Sequence, residues 1–238
     1  MIIKVENKEY NCPSDWGDVT MGELIGAQEL IKAMPEKLKE LTFSDKEMDI
    51  DVDEEIDIWD FYRKWVVYWT DIPDDISKKI EINGLKLAYE VLQMFMFMPS
   101  EPEILKEITF KGVRYGLPKT ERLLNGMTKH MANSTYEEFV EGCQLTKRLN
   151  KLQDGDLTVL PVLTATFYRP IIIKGRWWWK KEVIEDYDED KTRERAILFQ
   201  DLPMDKVWSA YFFLINRLTK YVNGLPISLA EEAKAAQN

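Results

Sequence analysis

A chain of 238 residues, 45% hydrophobic and 31% charged, holds enough apolar material for one large domain or two small ones, and this composition argues against global disorder. Its formal net charge of −10 lacks the basic bias that phosphate neutralisation requires, which disfavours a dedicated or sequence-specific nucleic-acid binder. Cys12 and Cys143 stand far apart in no metal or redox spacing, the N-terminus has no signal-peptide pattern, and no apolar run approaches roughly 20 residues, so reduced thiols and no membrane insertion are expected. The aromatic content is high, with eight Trp, ten Tyr and ten Phe, the side chains that fill cores and anchor interfaces.

The chain opens on Ile3–Pro13, whose alternation predicts a short hairpin turning at Asn7-Lys8 and closed by proline. The same frame returns at Ile108–Pro118. Ile3 aligns without gaps on Ile108, Val5 on Phe110, Asn7 on Gly112, Tyr10 on Tyr115 and Pro13 on Pro118. Asn and Gly tolerate positive φ in tight turns, which gives the shared position a physical reason. Thr20-Met21-Gly22-Glu23-Leu24 and Thr135-Tyr136-Glu137-Glu138-Phe139 then each read as a helix start. Further on, Asp71-Ile72-Pro73-Asp74-Asp75 and Asp201-Leu202-Pro203-Met204-Asp205 place an Asp after a proline, where it is expected to cap a helix. This order predicts a mostly helical α+β chain of two related halves, 1–105 and 106–238, each a short β-hairpin followed by helices.

Helices are expected over Ile58–Thr70, apolar on nearly every face and hence deeply buried, and over Gly84–Met98, stopped by Pro99. Others are expected over Leu157–Tyr168, with Pro161 tolerable only in a first turn, and over Glu194–Phe199 and Lys206–Val222. Asp45–Asp57 reads as a solvated acidic loop, and Leu229–Asn238 as an alanine-rich terminal helix.

The residues offer little chemistry. His130 is the single histidine and sits in the polar run Thr128–Met131, so a triad or proton shuttle would rest on it alone. The run Asp49, Asp51, Asp53 lacks the turn glycine and closing glutamate of a calcium loop. No phosphate-cradling glycine loop and no nucleophile elbow is present. The expectation is a non-enzyme with no catalytic residue, no metal site and no cofactor; a carboxylate-dependent hydrolase is the reading against it.

The most informative segment is Ile171–Ile184, in which two β-prone runs flank Lys174-Gly175-Arg176 and the triplet Trp177-Trp178-Trp179. It predicts a β-arm inserted between helices. Three consecutive Trp in a strand send Trp177 and Trp179 to one face and Trp178 to the other, so one face needs a cover from this chain or from a partner. With Lys and Arg beside it the segment could stack on single-stranded nucleic acid, but the acidic chain favours a protein partner. Trp177, Trp178, Trp179, Arg176 and Tyr168 are the candidate interface residues.

The second half resembles bacteriophage tail-module virion proteins, those of the crAss-like Bacteroides phages. The resemblance rests on the hairpin Ile108–Pro118, Thr135–Phe139, Tyr168-Arg169-Pro170, Tyr187-Asp188, Arg193-Glu194-Arg195 and Phe199–Met204. The first half lacks a Tyr-Arg-Pro equivalent. The resemblance implies a non-enzymatic virion structural protein, a ring-forming component of the tail barrel or head–tail connector, assembled in the bacterial host cytoplasm. Its implied partners are copies of itself and other tail or portal-proximal proteins. A tail assembly chaperone outside the virion is the alternative.

Overall fold

The structure is a computed structural model that describes residues 2–6, 8–43, 51–100, 103–118, 121–122, 128–129, 136–149 and 155–223. By their contacts the residues fall into two units. Met1–Val19 and Glu23–Met98 make up the body of the first; Thr20–Gly22, Pro99–Lys151 and Gly155–Asn238 belong to the second. His130, Asp49, Thr135 and the segment 229–238 lie outside the described residues.

The first unit begins with strands β1 (Ile2–Val5) and β2 (Lys8–Asn11), an antiparallel pair in which Val5 faces Lys8. That pairing draws Lys8 into the strand, so the expected turn at Asn7-Lys8 is corrected at Lys8; Glu6 takes a positive φ of 50°, and Asn7 lies outside the described residues. Short helices α1 (Met21–Gly26), α2 (Gln28–Lys32) and α3 (Glu36–Phe43) follow. Helix α4 (Val52–Trp69) begins at Asp51, whose carboxylate accepts the Glu54 N–H while Glu54 reaches back to the Asp51 N–H. This reciprocal cap makes 51–57 a helix start, correcting the expectation of an acidic loop: carboxylates in a first turn favour a helix through its dipole.

Helix α4 is buried along one face only, through Ile58, Phe61, Trp65, Val66 and Trp69, while Arg63, Lys64 and Tyr68 share the other sides. The short α5 (Asp74–Ser77) and then α6 (Ile82–Leu92) follow, the latter packing on α4 with Leu85, Ala88, Tyr89 and Leu92 inside. The Trp65 indole donates to the Leu92 carbonyl at 3.1 Å, so a fully buried ring keeps its polar edge satisfied. Burying such a ring contributes about 5 kcal/mol. Trp69, Phe95 and Trp16 continue the cluster at centroid distances of 5.0 Å. Pro73, not Asp74, is the N-cap of α5, and Asp74 instead pairs with Arg63 of α4.

In the second unit β3 (Glu107–Phe110) and β4 (Val113–Gly116) form a hairpin whose register repeats that of β1 and β2. Ile3↔Tyr10 corresponds to Ile108↔Tyr115, and the connection is Lys111-Gly112, with φ of 46° and 79°. Here the hairpin is not alone. After the two-residue strands β5 (Glu121–Arg122) and β6 (Thr128–Lys129), helix α7 (Tyr136–Leu149) and helix α8 (Leu160–Phe167), strands β7 (Arg169–Lys174) and β8 (Lys181–Ile184) extend it to an antiparallel sheet ordered β3-β4-β7-β8. Pro161 lies in the first turn of α8, where a missing N–H costs nothing.

Helices α9 (Glu189–Leu198) and α10 (Met204–Asn223) complete the unit. Asp188 caps α9 by accepting the Lys191 N–H, which starts that helix five residues earlier than the expected Glu194. Asp205 lies inside α10, so neither aspartate after a proline caps a helix. The core gathers α8 with Phe199, Leu202, Trp208 and Leu214, and Tyr115 meets Phe199 edge-on at 5.1 Å. The architecture is mostly helical α+β.

Candidate interaction site

The arm grows directly out of the buried helix α8. Tyr168 leaves helical geometry at ψ 102° and the chain continues as β7. Strands β7 and β8 pair from Ile171↔Ile184 to Lys174↔Lys181, and the Glu185 N–H to the Pro170 carbonyl at 2.9 Å carries the ladder toward the base. Ion pairs brace it: Lys174 with Asp186 at 2.8 Å, and Arg114 with Glu182 at 2.7 Å and Glu107 at 2.9 Å. These are exposed pairs worth at most about 1 kcal/mol each.

The base is held more firmly. Arg195, which is 8% exposed, donates to the Ala165 carbonyl at 2.7 Å and to Glu185 at 2.9 Å, and Lys191 reaches the other Glu185 oxygen at 2.8 Å. Burial pulls the Arg195 pKa down and Glu185 opposes it. An arginine titrates far above neutrality, so Arg195 stays charged and its bonds to Ala165 and Glu185 join α9 to the arm.

The tip departs from the sequence expectation. Pairing stops at Lys174↔Lys181, which leaves residues 175–180 as a loop. Trp177–Trp179 form a 3-10 turn, closed by the Trp179 N–H on the Arg176 carbonyl at 3.1 Å. Strand alternation therefore does not apply to them. The cause is Gly175, at φ 117°, where a Cβ would sit 2.2 Å from the Trp179 carbonyl oxygen. Only glycine lets the chain fold back so closely. Trp178 and Trp179 are 80% and 77% exposed, and Ile173 on β7 is 65% exposed. Residues 174–181 carry Lys174, Arg176, Lys180 and Lys181 and no carboxylate. Arg176, Lys180 and Lys181 form no ion pair with any described residue.

Arg176, Trp178 and Trp179 thus come together at the tip, and the Trp177 backbone lies in the same turn while its side chain is outside the described residues. Tyr168 does not belong with them. It is fully buried, its hydroxyl donating to the Leu105 carbonyl at 2.6 Å and lying 2.9 Å from Ser209 Oγ. Burial raises its pKa to about 12, against the Ser209 bond. An aromatic that ends a buried helix inherits that helix's surroundings, which corrects the expectation of Tyr168 as an interface residue.

A second concave feature, within the first unit, had no sequence signal. A cleft of about 720 Å³ opens between the hairpin, Pro13, Asp18, Val19 and Glu23, and the end of α4. Asn11, Asp18, Glu23, Tyr68, Trp69 and Asp71 line it, and no Lys or Arg does. The Ser14 N–H and hydroxyl both donate to Asp18 at 2.9 Å, and these bonds hold its carboxyl below the usual value. Asn11 reaches Asp71 at 3.4 Å, and the Tyr68 hydroxyl donates to the Glu23 carbonyl at 2.6 Å. Asn11 and Asp71 are 60 residues apart in the chain, so only the folded unit brings this acidic lining together.

The remaining candidates for chemistry do not converge. Asp51 is a helix cap, Asp53 is exposed in the first turn of α4, and both cysteines are free. Among the described residues no group of three or more His, Cys, Asp or Glu could hold a metal, and no helix is long and apolar enough to cross a membrane. No family model, no curated protein and no solved structure matches the chain.

Proposed function

We propose that the chain is a non-catalytic structural subunit of a bacteriophage virion, a ring-forming component of the tail or head–tail connector that joins copies of itself and neighbouring tail proteins. The observation that carries this reading is the tip of the arm, where Trp178 and Trp179 are 80% and 77% exposed on a hairpin braced at its base by buried Arg195. Two indoles held in water are costly unless something covers them: removing them from it is worth roughly 6–10 kcal/mol together. Association costs about 4–15 kcal/mol, so the rings anchor a contact that needs further area or charge to be stable. A subunit in a ring makes that contact twice, once with each neighbour. The resemblance of the second half to crAss-like phage tail proteins supplies the setting.

Mass spectrometry of purified virions tests the reading. The chain is expected in stoichiometric amounts with the other tail proteins. Its absence from virions, with abundance in the infected cell, would remove the structural role and favour the assembly chaperone.

A further inference from the structure

We propose that the basic Trp tip of the arm on one copy seats in the acidic cleft of a second copy, giving a head-to-tail contact between two different surfaces of the same chain. This inference rests on the assembly reading above and names its contact.

The two surfaces complement one another in charge and in apolar character. The tip presents Trp178 and Trp179 between Arg176 and Lys180, cations that pair with no described residue. The cleft offers Asp18, Glu23 and Asp71 with no cation among its lining residues, over a wall that includes Trp69 and Tyr68. Its volume of about 720 Å³ lies within the range that takes a ligand-sized group, and an indole with its neighbouring side chain is such a group. Asp18 is held ionised by two Ser14 bonds, so the negative charge is in place before anything binds. A guanidinium or ammonium can meet these carboxylates while an indole lies against Tyr68 or Trp69, an arrangement that also permits cation–π contact.

A second copy fits better than nucleic acid as the occupant. Cationic Trp surfaces do stack on single strands, but a net charge of −10 repels a polyanion, while the same charge includes the carboxylates that would receive the tip. A contact between unlike surfaces repeats around a rotation axis and closes as a ring, or runs on as a filament.

Complementation between two full-length variants tests this. The arm variant carries Trp178→Ala and Trp179→Ala; the cleft variant carries Asp18→Lys and Asp71→Lys, and circular dichroism confirms that each is folded. The expected result is self-association of the wild type weakened at least about tenfold in either variant. Mixed, the two variants should give a one-to-one heterodimer and nothing larger, because one intact arm and one intact cleft remain. Should the cleft variant not fold, Asp71→Lys alone is weakened, and Arg176→Glu on the arm of a second chain restores the pairing.

Three outcomes overturn the proposal. The first is a folded cleft variant that associates like the wild type. The second is a mixture with no heterodimer. The third is an arm variant that loses single-stranded DNA binding while self-association is unchanged. If the wild type oligomerises regardless of both variants, this contact is wrong while the virion reading stands. A protein absent from virions whose arm and cleft still bind each other removes only the virion reading.

Discussion

Tyr168→Phe deletes one hydroxyl from a set of bonds that ties Leu105 to the interior of the second unit. In the native protein that hydroxyl donates to the Leu105 carbonyl at 2.6 Å, and Ser209 Oγ, 2.9 Å away, accepts the Leu105 N–H at 2.7 Å. The variant keeps the bond from the Leu105 N–H to Ser209 but loses the hydroxyl's contact with Ser209 and leaves the Leu105 carbonyl without its Tyr168 donor. Ring volume is unchanged, so no cavity term enters, and the expected loss is about 1–3 kcal/mol. The same residue supplies a second readout. Its folded pKa is raised to about 12 from an ordinary value of 10.0, chiefly by burial, so the folded state holds the proton longer than the unfolded chain does. That contribution is complete below pH 10 and is lost as pH rises toward 12, at most about 2–3 kcal/mol. Urea unfolding followed by circular dichroism, near pH 7 and near pH 11, measures both effects. The variant should be less stable near neutrality and lose less on going alkaline; Tyr62, Tyr68, Tyr115 and Tyr211 are also raised by burial, so the loss shrinks without vanishing. Self-association should be unaffected. Equal stability near pH 7, or an undiminished alkaline loss, would refute the interior placement of this hydroxyl.

Asp51→Ala removes one half of the reciprocal cap of α4 and should cost about 1 kcal/mol, with faster amide exchange at Glu54; an unchanged unfolding midpoint and exchange rate would contradict the cap. Gly175→Ala forces a Cβ to within 2.2 Å of the Trp179 carbonyl, so amide exchange at Trp179 should accelerate and self-association fall, with a stability loss of about 1–3 kcal/mol; wild-type exchange at Trp179 would contradict the turn. Asp60 and Asp74 are held below the ordinary 3.8, Asp60 chiefly by Lys64 and then Arg63, Asp74 chiefly by Arg63. Carboxyls lowered in the folded state contribute stability above that value and lose it as pH falls through their folded pKa, so Arg63→Ala should flatten the acid limb of the stability profile below about pH 4. An unaltered acid limb would count against those pairs.

What the sequence disclosed and what it concealed follow from the range of the interactions. The hairpins were legible because Val5↔Lys8 and Phe110↔Val113 close over two residues, and alternation with a turn residue suffices to place such pairs. Pro161 was legible for the same local reason. The Trp triplet was misplaced because alternation presumes a strand, and the positive φ of Gly175 had already turned the chain; Lys-Gly-Arg before the triplet was the available signal. The acidic segment hid a helix start, because its charge density resembles a solvated loop and masks the capping-box spacing of Asp51 and Glu54. The acidic cleft could not be read at all, since Asp18 and Asp71 line one surface only when the hairpin and the end of α4 are folded together. The duplicated Pro elements carried least: one precedes the four-residue α5 and the other the twenty-residue α10.

The most direct measurement is analytical ultracentrifugation of the purified wild-type chain across a concentration series, with negative-stain images of the heaviest species. The account predicts association beyond a dimer, in multiples of the 28.0 kDa chain, ending in closed rings or open filaments of head-to-tail subunits. A single 28.0 kDa species at every concentration, with Trp178 and Trp179 still exposed, would contradict it.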